Sequence, residues 1–347
     1  MRWERVCVEG IGVSLPEQRV STRELEGRLA DVYRKWGLAP GQLEALTGIR
    51  ERRWWPEDGV SLSGAAVDAA REALDEAGVA PSELGAVVYA GVNRENLEPA
   101  TACPVADALG VPGDALILDV CNACLGVLNG MALVANMIEL GQIRSGLVVA
   151  AETAREIADD TIARILGDPT HATFRACLAS LTGGSGAVAV VLTDSRDSLT
   201  GRRLVGGAAV AAPEHHRIAR WGPKTGLLGR EPWVMETDAT AVLEHGVALG
   251  QRTWERFLPN VGWTAGSVDK VICHQVGSGH RDAVLPSLGI DPAKDFSTYP
   301  TLGNMGPVAL PATAAIASAR GFLTPGDRVA FLGIGTGLNC MMLGLLW

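Results

Sequence analysis

The chain has 347 residues, 47% hydrophobic and 20% charged, enough to bury a large core and long enough for two domains or one large duplicated unit. A formal net charge of -9, with no basic stripe interleaved with aromatics, excludes nonspecific nucleic-acid binding, and no uninterrupted apolar stretch is long enough to span a membrane. Residues 1–4 lack the apolar core of a signal peptide, and seven scattered cysteines do not make a disulfide framework, so a cytoplasmic setting with reduced thiols is expected.

Strands and helices alternate along the chain. Val6 to Val13 reads as a strand, and Ser21-Thr22-Arg23-Glu24 is a capping-box start for a helix running to about Trp36 and stopped by Gly37. Arg50 to Trp55 sets three arginines beside two tryptophans, either an exposed strand with Arg–Trp stacking or a site for an anionic ligand. Ser61 to Gly78 is an amphipathic helix and Leu84 to Val92 a strand. A polar loop, Asn93 to Thr101, then precedes a short helix to Gly110.

Ala115 to Val120, bounded by Gly113-Asp114, reads as a buried parallel strand. From Asn122 a helix follows with a narrow polar stripe, Asn122, Asn129 and Asn136, and is otherwise small and apolar. Gly126, Gly130, Ala132 and Ala135 let another backbone approach closely, which suits the centre of a layered α/β fold. Cys124 falls in the first turn, where unpaired N–H groups and the helix dipole favour a thiolate; the alternative is a small core residue.

Gly146 to Ala151 is another buried strand, with Glu152 after it, and Ile157 to Ser180 is an irregular helical stretch. Leu181 to Leu192 turns through glycines into a strand. The polar Asp194 to Arg202 marks a boundary between halves, 1–195 and 196–347. Beyond it come a strand at Val205 to Ala211, a loop at Pro213 to Pro232 holding His215-His216, and a long helix at Asp238 to Phe257. A strand at Val271 to Val276, an Ala-rich helix at Val308 to Arg320 and a glycine-interrupted hairpin from Asp327 to Leu346 complete the chain. The halves echo each other in pattern, with the helices starting near Asn122 and Pro307 as a facing central pair.

Three motifs besides Cys124 are candidates for chemistry. His274 lies at the C-terminal end of a buried strand, the edge where open α/β sheets place ligands, and is either catalytic or a satisfied core group. Asn304, in Leu302-Gly303-Asn304-Met305-Gly306-Pro307, is either a site residue or a turn and cap residue. Gly333-Ile334-Gly335-Thr336-Gly337 resembles a nucleotide loop only superficially, because a strand follows it.

Taken together, Asn-Ala-Cys-Leu-Gly, then His-Gln, then Gly-Asn-x-Gly-Pro, then Gly-x-Gly-x-Gly-Leu-Asn resemble the β-ketoacyl synthase III group of thiolase-fold condensing enzymes. Within that group the likeness runs to the olefin-biosynthesis acyl-CoA:acyl-CoA condensing enzymes and covers essentially the whole chain. The resemblance implies a five-layered αβαβα fold of two duplicated halves, homodimers, fatty acyl-CoA or acyl-carrier-protein substrates, and neither cofactor nor metal. It implies Cys124 as the acylated nucleophile, His274 and Asn304 as donors to a thioester carbonyl, and an oxyanion hole from the N–H groups of Cys124 and of Gly335, Thr336 and Gly337.

By the same resemblance Glu98 is the base that removes an α-proton, reaching in from the partner subunit; read alone, it is a helix-start carboxylate before Pro99, with Glu95 a nearby decoy. A carboxylate with a raised pKa in a dry tunnel suits that task. The alternatives are a decarboxylative synthase using malonyl thioester, which needs no base, and a non-catalytic partner subunit, against which the presence of Cys124, His274 and Asn304 argues. A Cys121–Cys124 redox or metal pair lacks a second cysteine pair, and a serine hydrolase lacks a Gly-x-Ser-x-Gly elbow.

Overall fold

The computed structural model describes residues 1–57, 60–223, 225–227 and 233–347. Its strands are β1 (Val6–Ser14), β2 (Gln18–Ser21), β3 (Glu51–Trp54), β4 (Ala86–Tyr89), β5 (Leu116–Asp119), β6 (Ser145–Glu152) and β7 (Gly186–Asp194). They continue as β8 (Arg203–Ala211), β9 (Ala219–Pro223), β10 (Trp233–Thr237), β11 (Lys270–Cys273), β12 (Arg328–Gly335) and β13 (Asn339–Leu346). Nine of these form one sheet in the order β11-β12-β13-β8-β1-β7-β6-β4-β5.

That order is two arrays side by side. In one, β5, β4 and β6 run parallel while β7 and β1 add antiparallel. In the other, β11 and β12 run parallel while β13 and β8 add antiparallel. The arrays meet at β1 and β8 through a single register pair, Cys7 with Arg203. The strand pattern is therefore used twice, as the resemblance implied.

Period-two alternation puts each strand between two cores. Val148, Val188, Val190, Phe331, Met341 and Leu343 face a shared middle layer. Their neighbours Leu147, Val149, Ala189 and Val191 face the outer helix Leu62–Ala77, capped by Ser61 and ended by left-handed Gly78. On the other array Ala330, Leu332, Cys340 and Met342 face the helices Ala239–Val261 and Ser278–Ser287. The middle layer holds the helices Gly126–Glu139 and Ala309–Ala319, which makes five layers. Each fully buried Val, Leu or Phe in these cores contributes about 1.5–3 kcal/mol relative to exposure.

The small residues of the middle helix are required by contact. A Cβ on Gly126 would lie 2.0 Å from the Ala90 carbonyl oxygen, and one on Gly130 would lie 2.6 Å from Val148 Cγ1. The asparagine stripe is a structural network rather than a bare polar face. Trp3 Nε1 donates to Asn136, Asn122 donates to Asn129, and Asn339 donates to Asn122, tying the turn before the helix to the C-terminal hairpin.

Several expectations are corrected. The helix after Ser21 has its capping box and its Gly37 stop, but it breaks at Leu29, a fully buried residue that leaves helical geometry between Thr22–Arg28 and Ala30–Trp36. The arginine–tryptophan strand β3 is not exposed. Arg52 is buried and donates to Thr22 Oγ1 and the Leu181 carbonyl, while Trp54 is covered by Arg155 from elsewhere in the chain. The run 115–120 is a parallel strand, but it forms the sheet edge and is half-exposed. Within 213–232, β9 pairs with β10 and His215 stacks on His245; residues 224 and 228–232 lie outside the described residues.

Candidate functional site

The C-terminal ends of the parallel strands converge on one region, as expected for ligand placement in open sheets. After β5 the chain turns tightly at residues 122–125, with Ala123 at a φ of 46°, and only then enters the helix at Gly126. Cys124 thus sits in the turn ahead of the helix rather than in its first turn; the left-handed residue delays the helical geometry. Gly335 at the end of β12 packs on this turn so closely that a Cβ there would be 3.4 Å from the Cys124 nitrogen.

A cavity of about 140 Å3 is lined by Cys124, Glu152, Asn304, Gly306 and Thr336. Asn304 is fixed on three sides: its N–H donates to Thr182, its carbonyl accepts from Gly184, and its Oδ1 accepts from the Gly306 N–H at 3.0 Å. That last bond orients the amide and leaves Nδ2 as the donor. His274 follows β11, is 4% exposed, and its N–H donates to the Leu332 carbonyl. Its buried Nδ1 has no partner among the described residues, although buried polar atoms are normally paired. Gln275 locks this strand end, donating to the Cys273 carbonyl and accepting from the N–H groups of Thr298 and Tyr299.

The electrostatics of the cavity disfavour charge. Burial, and then the Glu152 carboxylate, push the Cys124 thiol up to about 12, with the residue's own N–H pulling the other way. Dehydration beside an acid therefore outweighs the helix N-terminus, opposite to the direction read from the sequence. Burial, and then His280, take His274 down to about 3, so its ring is neutral. Cys124 is therefore a thiol and His274 a neutral imidazole, and His274 lies at the end of β11 without lining the Cys124 cavity.

Glu98 is not in this cavity. It is exposed on the loop after β4, in the segment between Asn93 and Thr101. The neighbouring Glu95 is a helix cap: its Oε1 accepts from Ser61 Oγ at 2.6 Å and the Ser63 N–H at 2.9 Å. Burial acts to raise the Glu95 carboxyl, but these hydrogen bonds outweigh it and leave it below the usual range.

The residue that sequence reading did not single out is Glu152. It ends β6, is 6% exposed, and accepts from the Val92 N–H at 2.6 Å and the Asn93 N–H at 3.3 Å. Burial pushes its carboxyl up to about 8 against those hydrogen bonds. A carboxylate closing the apolar run Gly146 to Ala151 at the carboxyl end of a strand was the signal available for it.

A larger cavity of about 530 Å3 shares Ile157, Trp221 and Met235 with the first and is lined mostly by apolar residues of the helix Arg155–Gly167 and of β9 and β10. Among the described residues no group of three or more His, Cys, Asp or Glu is arranged to hold a metal, and all seven cysteines are free. A half-buried thiol and an oriented amide donor thus line one cavity, and a neutral imidazole lies at the end of β11.

The sequence profile described as 3-oxoacyl-[acyl-carrier-protein] synthase III matches residues 118–205, and the C-terminal profile of the same name matches residues 258–347. The chain is 53% identical over 352 residues to the acyl-CoA:acyl-CoA alkyltransferase of Shewanella oneidensis, covering 100% of both chains. It is 36% identical over 348 residues to the acyl-CoA:acyl-CoA alkyltransferase of Xanthomonas campestris pv. campestris, again covering 100% of both. A crystal structure of a cysteine-to-serine form of Xanthomonas campestris OleA with bound lauric acid and lauroyl-CoA superposes with a TM-score of 0.92 and 36% identity, over 99% of this chain and 100% of that one. These matches, and the doubled strand pattern beneath them, place the chain in the 3-oxoacyl-[acyl-carrier-protein] synthase III family of thiolase-fold condensing enzymes.

Proposed function

We propose that the protein is an acyltransferase that joins two fatty acyl-CoA thioesters by Claisen condensation, through an acyl-Cys124 intermediate, to give a 2-alkyl-3-oxoacid. One observation carries this reading: full-length identity of 53% to an acyl-CoA:acyl-CoA alkyltransferase in a chain that sets a free thiol and the Asn304 amide in one cavity. The adjoining apolar cavity suits alkyl chains.

In the first step Cys124 Sγ attacks the thioester carbonyl, coenzyme A departs with the proton, and N–H groups of Cys124 and of the loop Gly335, Thr336 and Gly337 stabilise the oxyanion. In the second, Glu98 takes an α-proton from the other acyl-CoA while neutral His274 and Asn304 Nδ2 donate to its enolate oxygen. The carbanion attacks the acyl-Cys124 carbonyl and the Cys124 thiolate leaves. Water then cleaves the remaining CoA thioester.

Glu98 lies exposed in its own chain, which supports its acting in the site of a partner copy, so the working unit is a homodimer. We take the halves as 1–195 and 196–347 and the compartment as the cytoplasm; no helix among the described residues is long and apolar enough to cross a membrane. The carrier protein in the family's name, 3-oxoacyl-[acyl-carrier-protein] synthase III, supports a second reading, decarboxylative condensation with a protein-carried malonyl thioester.

Glu98→Gln separates the two. Acylation of Cys124, read as adduct mass, should stay within about threefold of wild type while carbon–carbon bond formation falls by about a hundredfold or more, since a general base contributes about 10²–10⁴-fold. Full condensation by the variant, or product only with malonyl thioester and carbon dioxide release, would refute the acyl-CoA reading.

A further inference from the structure

Glu152 takes no part in the steps above, yet it lies beside the nucleophile in the Cys124 cavity. Among the described residues no ion pair to it exists, and its carboxyl oxygens accept hydrogen bonds from the Val92 and Asn93 N–H groups alone. Burying a carboxyl group is costly even when it keeps its proton, so its retention calls for a geometric task. What it holds is the root of a loop. Asn93 is further fixed by the Tyr89 hydroxyl on its carbonyl, at 2.7 Å, and by the Thr153 N–H on its Oδ1, at 3.4 Å. Two residues on, Glu95 is bonded to Ser61 and Ser63. Past these anchors the tip is free, with Leu97 76% exposed and Glu98 exposed beside it.

We propose that Glu152 is a positioning residue for carbon–carbon bond formation: its carboxyl oxygens clamp the Val92 and Asn93 amides and so aim the loop that presents Glu98 to the partner's site. The proposal rests on Glu98 acting across a dimer. It makes Glu152 face two ways, lining its own subunit's cavity while serving the catalytic base of the other.

That asymmetry gives the test. Mix Cys124→Ala protein with Glu98→Gln protein and verify subunit exchange. Neither homodimer can condense, and the heterodimer has one competent site, with cysteine from one subunit and glutamate from the other. Glu152→Ala is then added to either subunit. On the subunit supplying Glu98 it should reduce condensation at least about fivefold more than on the subunit supplying Cys124, because misplacing a reacting group by about 1 Å can cost up to about a hundredfold. Glu152→Gln, which keeps one acceptor for the Val92 N–H, carries the same comparison should the alanine variant fold poorly, and should show the bias to a smaller extent. Equal losses from the two placements, a greater loss on the Cys124 side, or no loss from either overturns the proposal. An inactive parent heterodimer after verified exchange instead removes the Glu98 reading itself, and the proposal with it.

Discussion

Cys124 and Glu152 line one cavity, and burial moves each away from its charged form, to about 12 and about 8. The other titratable or charged groups around Glu152 are Tyr89 from β4 and, across the cavity, Arg220, which is paired with Glu236. Without substrate, alkylation of Cys124 by iodoacetamide should therefore keep rising with pH beyond about 9, the ordinary thiol value being about 8.5. Because an ionised Glu152 opposes the thiolate, Glu152→Gln should raise that rate at alkaline pH by about threefold or more. Identical profiles for the two proteins would sink the coupling.

Glu152 also has a stability signature. Its carboxyl rises from 4.5 to about 8 on folding, so the folded protein keeps a proton that the unfolded chain releases as pH rises between those values. The contribution to stability is complete below 4.5 and is lost as pH rises through about 8. Urea midpoints should accordingly fall less steeply from about pH 5 to pH 9 in Glu152→Gln than in wild type. Equal slopes would count against the raised value. Cys124, His274 and Asn304 could be singled out in the sequence because each sits in a short motif at a strand end or turn. The thiol's protonation was not legible, because a sequence places a cysteine near a helix start but does not show how completely water is removed, nor which acid faces it.

At the scale of elements, continuous apolar runs such as Val188 to Leu192 and the Ser61 and Gly78 caps set strands and helices that the structure reproduces closely. What a sequence hides is where tertiary contact overrides local preference, as when buried Leu29 breaks one helix in two or when Thr22 and Leu181 draw Arg52 inside. The small-residue face of the middle helix was legible, and it yields a sharp expectation. A methyl group at Gly126 would meet a backbone oxygen at 2.0 Å, which no side-chain rotation relieves. Gly126→Ala should then destabilise the fold by about 1–3 kcal/mol or more, despite alanine's better helix propensity. A urea midpoint at or above that of wild type would show that the helix can shift off β4 without cost.

At the scale of the molecule, one edge of the sheet stands out. β5 has a partner, β4, on one side only, and Leu116 at its start is 44% exposed in the single chain. Unprotected edges are where sheets add strands, and proteins that remain monomeric commonly guard them with charge. The Glu98 loop lies close by in the fold, since Thr101 and Ala102 bond Asp119 at the end of β5, and its Leu97 is the second large apolar side chain left open there. A second copy docking on this edge would cover both leucines and carry each Glu98 toward the other subunit. Leu116→Lys puts a charge on that edge without disturbing the core. By light scattering it should shift the mass toward the 36.3 kDa monomer. The monomer should still acylate Cys124, because the thiol, His274 and Asn304 come from one chain, but it should no longer join two acyl groups. A fully condensing monomer would show that the base is supplied in cis, and an undisturbed, active dimer would move the interface away from β5.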